Sequence, residues 1–328
     1  MSVVVPVRNE APYLDAAIES ILAQGYPGDF DVWLAVAPSD DDTAAVAERI
    51  ADDSTGRVRV IDNPAGVTPA GLNAAIAASS GSILVRVDGH AALNDGYVRR
   101  AVETMCRTGA DNVGGRQVPA PETPFEEAVA AATTSWMGTG GATYRVGGAP
   151  GPVDTVYLGV FDRTAGDAVG WFDESLIRNQ DYELNFRLRA AGGVVWFDPD
   201  LAVAYRPRST WAALAKQYYE YGWWKAEVLR RYPETLKLRQ AVPAMLAPMC
   251  LAGLSISRTL WRYRLAVAAL SISLAAMARG RLRTWATVPV MHLSWSIGFW
   301  AANSRRLLAA RRPRSTHARS RGSAAGDR

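Results

Sequence analysis

The stretch Ile83-Leu-Val-Arg-Val-Asp-Gly-His90 constrains this chain more than any other, because an apolar run stops abruptly in a carboxylate, a glycine and an imidazole. Such a run fits a central strand of a parallel sheet, buried on both faces. Open α/β sheets bind ligands at the carboxyl ends of their strands, so Asp88 and His90 fall where chemistry is expected. Asp88 is suited to a divalent cation bridging a diphosphate, and His90 to a second ligand or a contact to the same group. An ordinary Asp-Gly turn after a strand is the plainer reading of the same residues.

The preceding residues are patterned to build that sheet. Residues 2–7 read as a strand, and Tyr13, Ala17, Ile18, Ile21 and Leu22 then recur at helical spacing. A second strand is expected over 31–36. The polar loop Pro38-Ser-Asp-Asp-Asp-Thr43 follows and caps a helix over 44–51, with acidic residues that suit its dipole. A third strand at 58–61 and an Ala-rich helix at 68–78 lead into the Asp88 strand. Strand and helix alternate, which predicts a doubly wound parallel sheet. No G-x-G-x-x-G follows the first strand and no G-x-x-x-x-G-K-[ST] occurs, which argues against dinucleotide and P-loop enzymes.

Beyond a helix at 95–107, residues 114–151 are glycine-rich and expected to be less regular. Within them Gly138-Thr-Gly-Gly-Ala-Thr-Tyr-Arg145 has the composition of a connecting or substrate-covering loop. A strand is expected at 153–161, then a helix in Asn179-Gln-Asp-Tyr-Glu-Leu-Asn-Phe-Arg-Leu-Arg189. There Leu184 and Leu188 share a face while Gln180, Asp181 and Glu183 crowd the first turn. A carboxylate in that turn points into any adjoining cleft, although capping by Asp181 is the simpler role. Gly192-Gly193 stop the helix and 194–197 form another strand. An aromatic, basic helix follows, with Lys216, Lys225, Arg230 and Arg231 disposed to meet phosphates, ligand or lipid.

Net charge is +4, but residues 303–328 hold eight arginines and one aspartate, so the rest of the chain is slightly acidic. No basic stripe interleaved with aromatics precedes the tail, and no nucleic-acid partner is expected. Cys106 and Cys250 lie far apart without metal-ligand spacing, which fits a reducing setting. With no basic and apolar leader ahead of the first strand, no cleavable signal is expected and the N-terminal domain is read as cytoplasmic.

Three stretches, 241–257, 265–278 and 285–302, lack Asp, Glu, Lys and Arg. A span needs about 20 residues, with about 17 as the lower limit. The third is suited, the first is marginal and broken by Pro243 and Pro248, and the second is short. With both the N-terminal domain and the arginine-rich tail on the cytoplasmic side, two spans plus one interfacial or re-entrant piece are expected. Buried core helices are the competing reading. The tail reads as disordered and able to touch anionic lipid. The organisation expected is a catalytic domain over 1–233, membrane-associated hydrophobic helices over 234–303 and a basic tail over 304–328.

Taken together, Val3-Val-Val-Pro-Val-Arg-Asn-Glu10, Val87-Asp-Gly-His90, Asn179-Gln-Asp-Tyr-Glu-Leu-Asn185 and Gln217-Tyr-Tyr-Glu-Tyr-Gly-Trp-Trp-Lys225 resemble family 2 glycosyltransferases, within them the succinoglycan-type branch. The order of these motifs is more specific than any one of them, and His292-Leu-Ser-Trp-Ser-Ile-Gly298 is similar to that branch's membrane region. The resemblance implies a GT-A nucleotide-diphospho-sugar domain, Rossmann-like with a mostly parallel sheet flanked by helices. It implies that Pro6, Arg8 and Glu10 border the nucleotide pocket and that Asp40 lies near the base or ribose. Asp88 would hold Mg²⁺ or Mn²⁺ on the diphosphate, with His90 in the place of the second carboxylate of the more general Asp-x-Asp pattern. Asp181 matches the catalytic base of a Glu-Asp pair whose first member is here Gln180. Gln217 and Trp224 stand for a Gln-x-x-Arg-Trp element with altered spacing and no arginine, and Lys225 adjoins them as a substrate contact.

The implied reaction is inverting transfer of a sugar from a nucleotide-diphosphate sugar to a hydroxyl of a lipid-linked or cell-envelope glycan. It would take place at the cytoplasmic membrane, with the catalytic domain facing the cytoplasm. Inversion needs one carboxylate to take the acceptor's proton while a cation and basic groups stabilise the departing diphosphate. Asp181 suits the first task and Asp88 the second. One rival is a catalytically lapsed sugar-nucleotide-binding membrane protein, motivated by His90 and Gln180 at positions often acidic in the wider family. Another is a nucleotidyltransferase on a related fold, whose glycine- and basic-rich opening loop is missing after Val7.

Overall fold

The computed structural model describes residues 1–256 and 282–310. β1 (Ser2–Val7), α1 (Leu14–Leu22), β2 (Asp31–Val36), α2 (Thr43–Asp53), β3 (Val58–Asp62), α3 (Thr68–Ala78) and β4 (Ile83–Arg86) alternate as the pattern requires. Then come β5 (Ala92–Leu93), α4 (Tyr97–Thr108), β6 (Asn112–Pro119), α5 (Pro124–Thr133) and the one-turn helices α6 (Trp136–Thr139) and α7 (Thr143–Val146). The chain continues through β7 (Gly151–Pro152), β8 (Tyr157–Asp162), α8 (Arg163–Val169), α9 (Gln180–Ala190) and β9 (Val195–Tyr205). It closes with α10 (Trp211–Arg231), α11 (Leu238–Ile256) and α12 (Leu282–Ala310).

The strands lie in the order β3-β2-β1-β4-β8-β6-β9-β5, with β7 beside β9. The first four are mutually parallel. The parallel unit expected from the sequence is present in β1 to β4, and β8 joins it antiparallel to both of its neighbours, β4 and β6. An antiparallel insertion needs no crossover helix, and a local reading of strands cannot foresee it.

Alternation along the central strands divides the core into two layers. Val3, Val5 and Val7 of β1 and Val85 of β4, with Val87 beyond it, pack with Leu14 and Ile18 of α1, Ile50 of α2 and Val98 of α4. Val4 and Leu84 face the other way, against Leu72 and Ile76 of α3 and Leu184 and Leu188 of α9. The region 114–151 is more ordered than expected. β6 takes its start, and α5 opens with a capping box in which the Thr123 hydroxyl accepts from Glu126 N and the Glu126 carboxylate accepts from Thr123 N.

The C-terminal helices pack onto this unit. A Cβ at Gly222 of α10 would stand 1.9 Å from Trp295 O, and one at Gly298 of α12 2.0 Å from Tyr219 O, so only glycine lets the two backbones cross this closely. Val129 and Ala132 of α5, Leu214 and Tyr218 of α10 and Met291 of α12 fill a further core cluster. In α11, Pro248 cannot donate to the carbonyl of Ala244. Ser296 Oγ and Trp300 Nε1 of α12 donate to it instead, at 3.0 and 2.7 Å.

Among the described residues no helix is long and apolar enough to cross a membrane. The charge-free 285–302 run lies in α12, where Val288, Met291 and Trp295 serve the packing against α5 and α10. The 265–278 stretch and residues 311–328 of the tail lie outside the described residues.

Candidate active site

The chain turns from β3 back across β1 to β4, so the order β3-β2-β1-β4 has its switch point between β1 and β4. The carboxyl ends of strands diverge there and leave a crevice. Arg8-Asn9-Glu10 leaves β1 at this edge and Asp88-Gly89-His90 follows β4. The two turns are in contact: His90 Nδ1 and Glu10 Oε1 are 2.8 Å apart. Gly89 makes this possible, since a Cβ there would come within 2.9 Å of Val7 Cγ1 and 3.1 Å of Glu10 Cγ.

Period-two geometry puts Leu84, Arg86 and Asp88 on one face, the face covered by α3 and α9. Arg86 is only 7% exposed, a rare state for an unpaired cation. Its Nη2 donates to Asp88 Oδ1 at 3.0 Å, and its Nη1 donates to Asp181 Oδ1 in the first turn of α9. The guanidinium lies over the Phe172 ring, 5.9 Å from its centroid. One buried cation thus joins the two carboxylates singled out from sequence. Asp181 does not cap its helix: Asn179 is the N-cap, in the left-handed conformation (φ 62°) that asparagine tolerates.

The rim is assembled from the neighbouring turns. Asn9 N donates to Ser39 Oγ at 3.1 Å, Asp40 N to Asn9 Oδ1 at 2.8 Å and Glu10 N to Thr43 Oγ1 at 2.8 Å. Arg8 donates to Gly66 O at 3.2 Å in the turn after β3. Arg8, Glu10, Asp40, Asp88 and His90 therefore line one strand edge, with Pro6 in β1 beneath. Glu10 holds the His90 imidazole above its ordinary pKa; burial opposes this, Asp88 adds to it and Arg208 opposes it. Burial, and then Asp88, push the Tyr157 phenol up, while Arg86, a hydrogen bond with Gln117 and Arg145 act the other way.

The α10 residues are placed less simply. Gln217 Nε2 donates to Tyr221 Oη at 3.1 Å, and Trp224 is half-buried. Lys225 is 3% exposed, and its ammonium donates to Thr235 O at 3.0 Å and lies 4.2 Å from the centroid of the Tyr182 ring. A cation expected to meet phosphate therefore anchors the turn after α10 and steadies the neighbour of Asp181. Arg230 pairs with Glu227, and Arg231 with Asp173, so these too are engaged within the fold. Sequence reasoning passed over Arg86, whose signal was a charge inside a run otherwise suited to burial.

The sequence profile described as Glycosyl transferase family 2 matches residues 2–169. The chain belongs to glycosyltransferase family 2. It is 32% identical over 312 residues to the succinoglycan biosynthesis protein ExoA of Rhizobium meliloti (strain 1021), covering 91% of this chain and 93% of that protein. It is also 23% identical over 239 residues, 70% of this chain and 74% of the other, to a Methanococcus voltae dolichyl N-acetyl-alpha-D-glucosaminyl phosphate 3-beta-D-2,3-diacetamido-2,3-dideoxy-beta-D-glucuronosyltransferase. Among solved structures it resembles the mannosyltransferase PcManGT of Pyrobaculum calidifontis in complex with GDP-Man and Mn²⁺. That match has a TM-score of 0.65 and 18% identity, and covers 91% of this chain and 86% of the other. The fold is thus GT-A-like, and the protein is a glycosyltransferase.

Within this glycosyltransferase, no group of three His, Cys, Asp or Glu side chains among the described residues is placed to hold a metal. Asp88 and His90 offer two ligands at most. That is the donor set of a cation shared with a diphosphate, whose oxygens and water complete the shell. Glu10 occupies Nδ1 of His90 and leaves Nε2 for ligation, the carboxylate–histidine arrangement that orients metal-binding rings. The residues fit a divalent cation delivered with a nucleotide.

Proposed function

We propose that this glycosyltransferase carries out inverting transfer from a nucleotide-diphosphate sugar to a hydroxyl of a lipid-linked or cell-envelope glycan. The observation that carries this reading is the shared guanidinium of Arg86, with Asp88 on one side and Asp181 on the other. Asp181, with its side chain 39% exposed, is reachable by an incoming hydroxyl and takes its proton. Paired to Arg86 and set in the first turn of α9, its carboxylate is oriented at the edge of the cleft. Asp88 and His90 would hold Mg²⁺ or Mn²⁺, which would supply charge stabilisation for the departing diphosphate. Arg8, Glu10, Asp40 and Pro6 border the nucleotide, and Gln217 and Trp224 border the sugar and acceptor.

The Mn²⁺ and GDP-Man of the Pyrobaculum enzyme and the dolichyl N-acetyl-alpha-D-glucosaminyl phosphate in the name of the Methanococcus relative support donor and acceptor of these kinds. Leu238, Val242, Met245 and Met249 recur at four, three and four residues and are all exposed, forming one apolar stripe along α11. That stripe supports a place at a membrane surface.

A screen of the purified chain against UDP-, GDP- and dTDP-sugars with Mn²⁺ or Mg²⁺, reading thermal shift and released nucleotide, tests the reading. A selective, metal-dependent response is expected. No response from folded protein would overturn it.

A further inference from the structure

The ion pair with Arg86 holds the carboxylate of Asp181, but a second set of contacts holds the helix that carries it. Four residues on, and so on the same face of α9, Asn185 is 1% exposed. Its Oδ1 accepts from Asn112 Nδ2 at 2.6 Å, and its Nδ2 donates to Thr155 Oγ1 at 2.8 Å. Asn112 opens β6 and is fully buried. Its neighbour Val113 packs in the layer of α1, α2 and α4, so period-two geometry turns Asn112 the other way, onto α9. Thr155 lies between β7 and β8. A Cβ at Gly159 of β8 would stand 2.4 Å from Asn112 Oδ1, so the bare backbone there leaves the amide its room. One side chain of α9 is thus fastened to two separate segments beside the sheet, and the proposed transfer uses none of the three residues.

The triad is poorly suited to a purely stabilising task. Asn112 Oδ1 is buried without a hydrogen-bond partner, an unmet acceptor that an apolar pair of the same outline would avoid. What the amides supply and leucines cannot is direction. Leu184 and Leu188 hold α9 through apolar contacts, which are non-directional and tolerate a small roll or slide of the helix. Two hydrogen bonds from one side chain to two segments do not, because they weaken steeply with distance and angle. Asp181 lies one turn, about 6 Å, nearer the start of the helix, so a roll at Asn185 carries its carboxylate away from Arg86 and the cleft. Displacing a reacting group by about 1 Å can cost roughly a hundredfold in rate.

We infer that Asn185, held by Asn112 and Thr155, is a positioning residue for Asp181: the buried amide sets where α9 presents its carboxylate to the acceptor hydroxyl. The inference rests on the proposed transfer, which makes Asp181 the base.

The test compares the full chain with three variants. Asn185→Leu keeps the outline of the amide without its polar atoms, while Thr155→Val and Thr155→Ser alter a partly exposed position that the fold can accommodate. Released nucleotide gives kcat and donor KM, with the nucleotide-sugar and cation that the donor screen selects. Asn185→Leu and Thr155→Val should each lower kcat roughly tenfold with donor KM unchanged, and Thr155→Ser should keep it near wild type. In an Asp181→Asn background the first two changes should cost less than about twofold more, because an effect exerted through Asp181 has nothing left to act on. Normal kcat in both variants would overturn the inference, as would a full tenfold loss in the Asp181→Asn background or a rise in donor KM with kcat kept. Crystal structures of the variants need no turnover and decide the placement even if no nucleotide-sugar reacts. Asp181 should stand displaced from Arg86 in Asn185→Leu and Thr155→Val and unmoved in Thr155→Ser; an Asp181 unmoved in all three would overturn the inference. A displaced Asp181 together with normal turnover by Asp181→Asn would reject Asp181 as the base and leave the anchoring of α9 standing.

Discussion

Arg86 and Asp181 are ion-paired across 95 residues of sequence, and the same guanidinium reaches Asp88, two positions further on in the turn that follows β4. Asp181 is thereby tied to β4 and to the turn that carries Asp88. If Asp181 removes the acceptor's proton, Asp181→Asn keeps the size of the side chain and an oxygen for Arg86 but loses its basicity and the charge of the pair. Transfer should fall by roughly 10²–10⁴ in kcat with nucleotide affinity unaltered. Steady-state kinetics with nucleotide calorimetry checks this, and near-normal turnover would remove Asp181 from the reaction.

Arg86→Lys keeps one positive charge but cannot fork to two carboxylates. Turnover should drop more than tenfold with little change in donor KM. The loss of stability should be below the roughly 3–5 kcal/mol of a broken, fully buried pair, because Asp88 and Asp181 are partly solvated. A parallel drop in kcat and melting temperature, with Asp181 still competent in the folded fraction, would show Arg86 to be structural only.

For Asp88→Ala the expected loss is in the metal dependence of nucleotide binding. Wild-type nucleotide affinity should rise on adding Mn²⁺, and in the variant that rise should disappear. An unchanged response to Mn²⁺ would take Asp88 out of the diphosphate site.

The Glu10–His90 bond makes a pH-dependent contribution. The folded imidazole has its pKa raised, first by Glu10. That stabilisation is complete below the unfolded value of about 6.5 and fades as pH rises through the folded value. The difference in melting temperature between wild type and Glu10→Gln should therefore be largest in acid and vanish at alkaline pH. Proton NMR of His90 in metal-free protein should show the titration moving down in the variant; an opposite pH trend in the melts would contradict the pairing.

Where α10 crosses α12, Gly222→Ala places a methyl group against backbone, which cannot swing aside as a side chain can. The variant should lose about 1–3 kcal/mol or more. Thermal melts read the loss, and an unaltered melting temperature would mean that the two helices are not packed this closely.

Much of the fold was legible because periods of two and 3.6 are local properties. They mark β1 to β4 and the helices between them, and they place Asp88 and His90 at a carboxyl edge before any neighbour is known. The Thr123-Pro-Phe-Glu126 box was equally local, and only the surrounding glycines obscured it. Lys225 could not be read in the same way, because whether a lysine on an aromatic helix meets solvent or a buried carbonyl depends on the turn folded over it.

By itself, then, the sequence determined the alternating unit, the edge where polar residues emerge and the family to which the chain belongs. Only the tertiary structure decided that β8 enters antiparallel, that the charge-free run of α12 packs on α10, and that Arg86 stands between Asp88 and Asp181. The reason is physical. Side-chain period is written along a strand, but which helix covers which face, and so which carboxylate a buried arginine meets, is set by contacts between segments far apart in the chain.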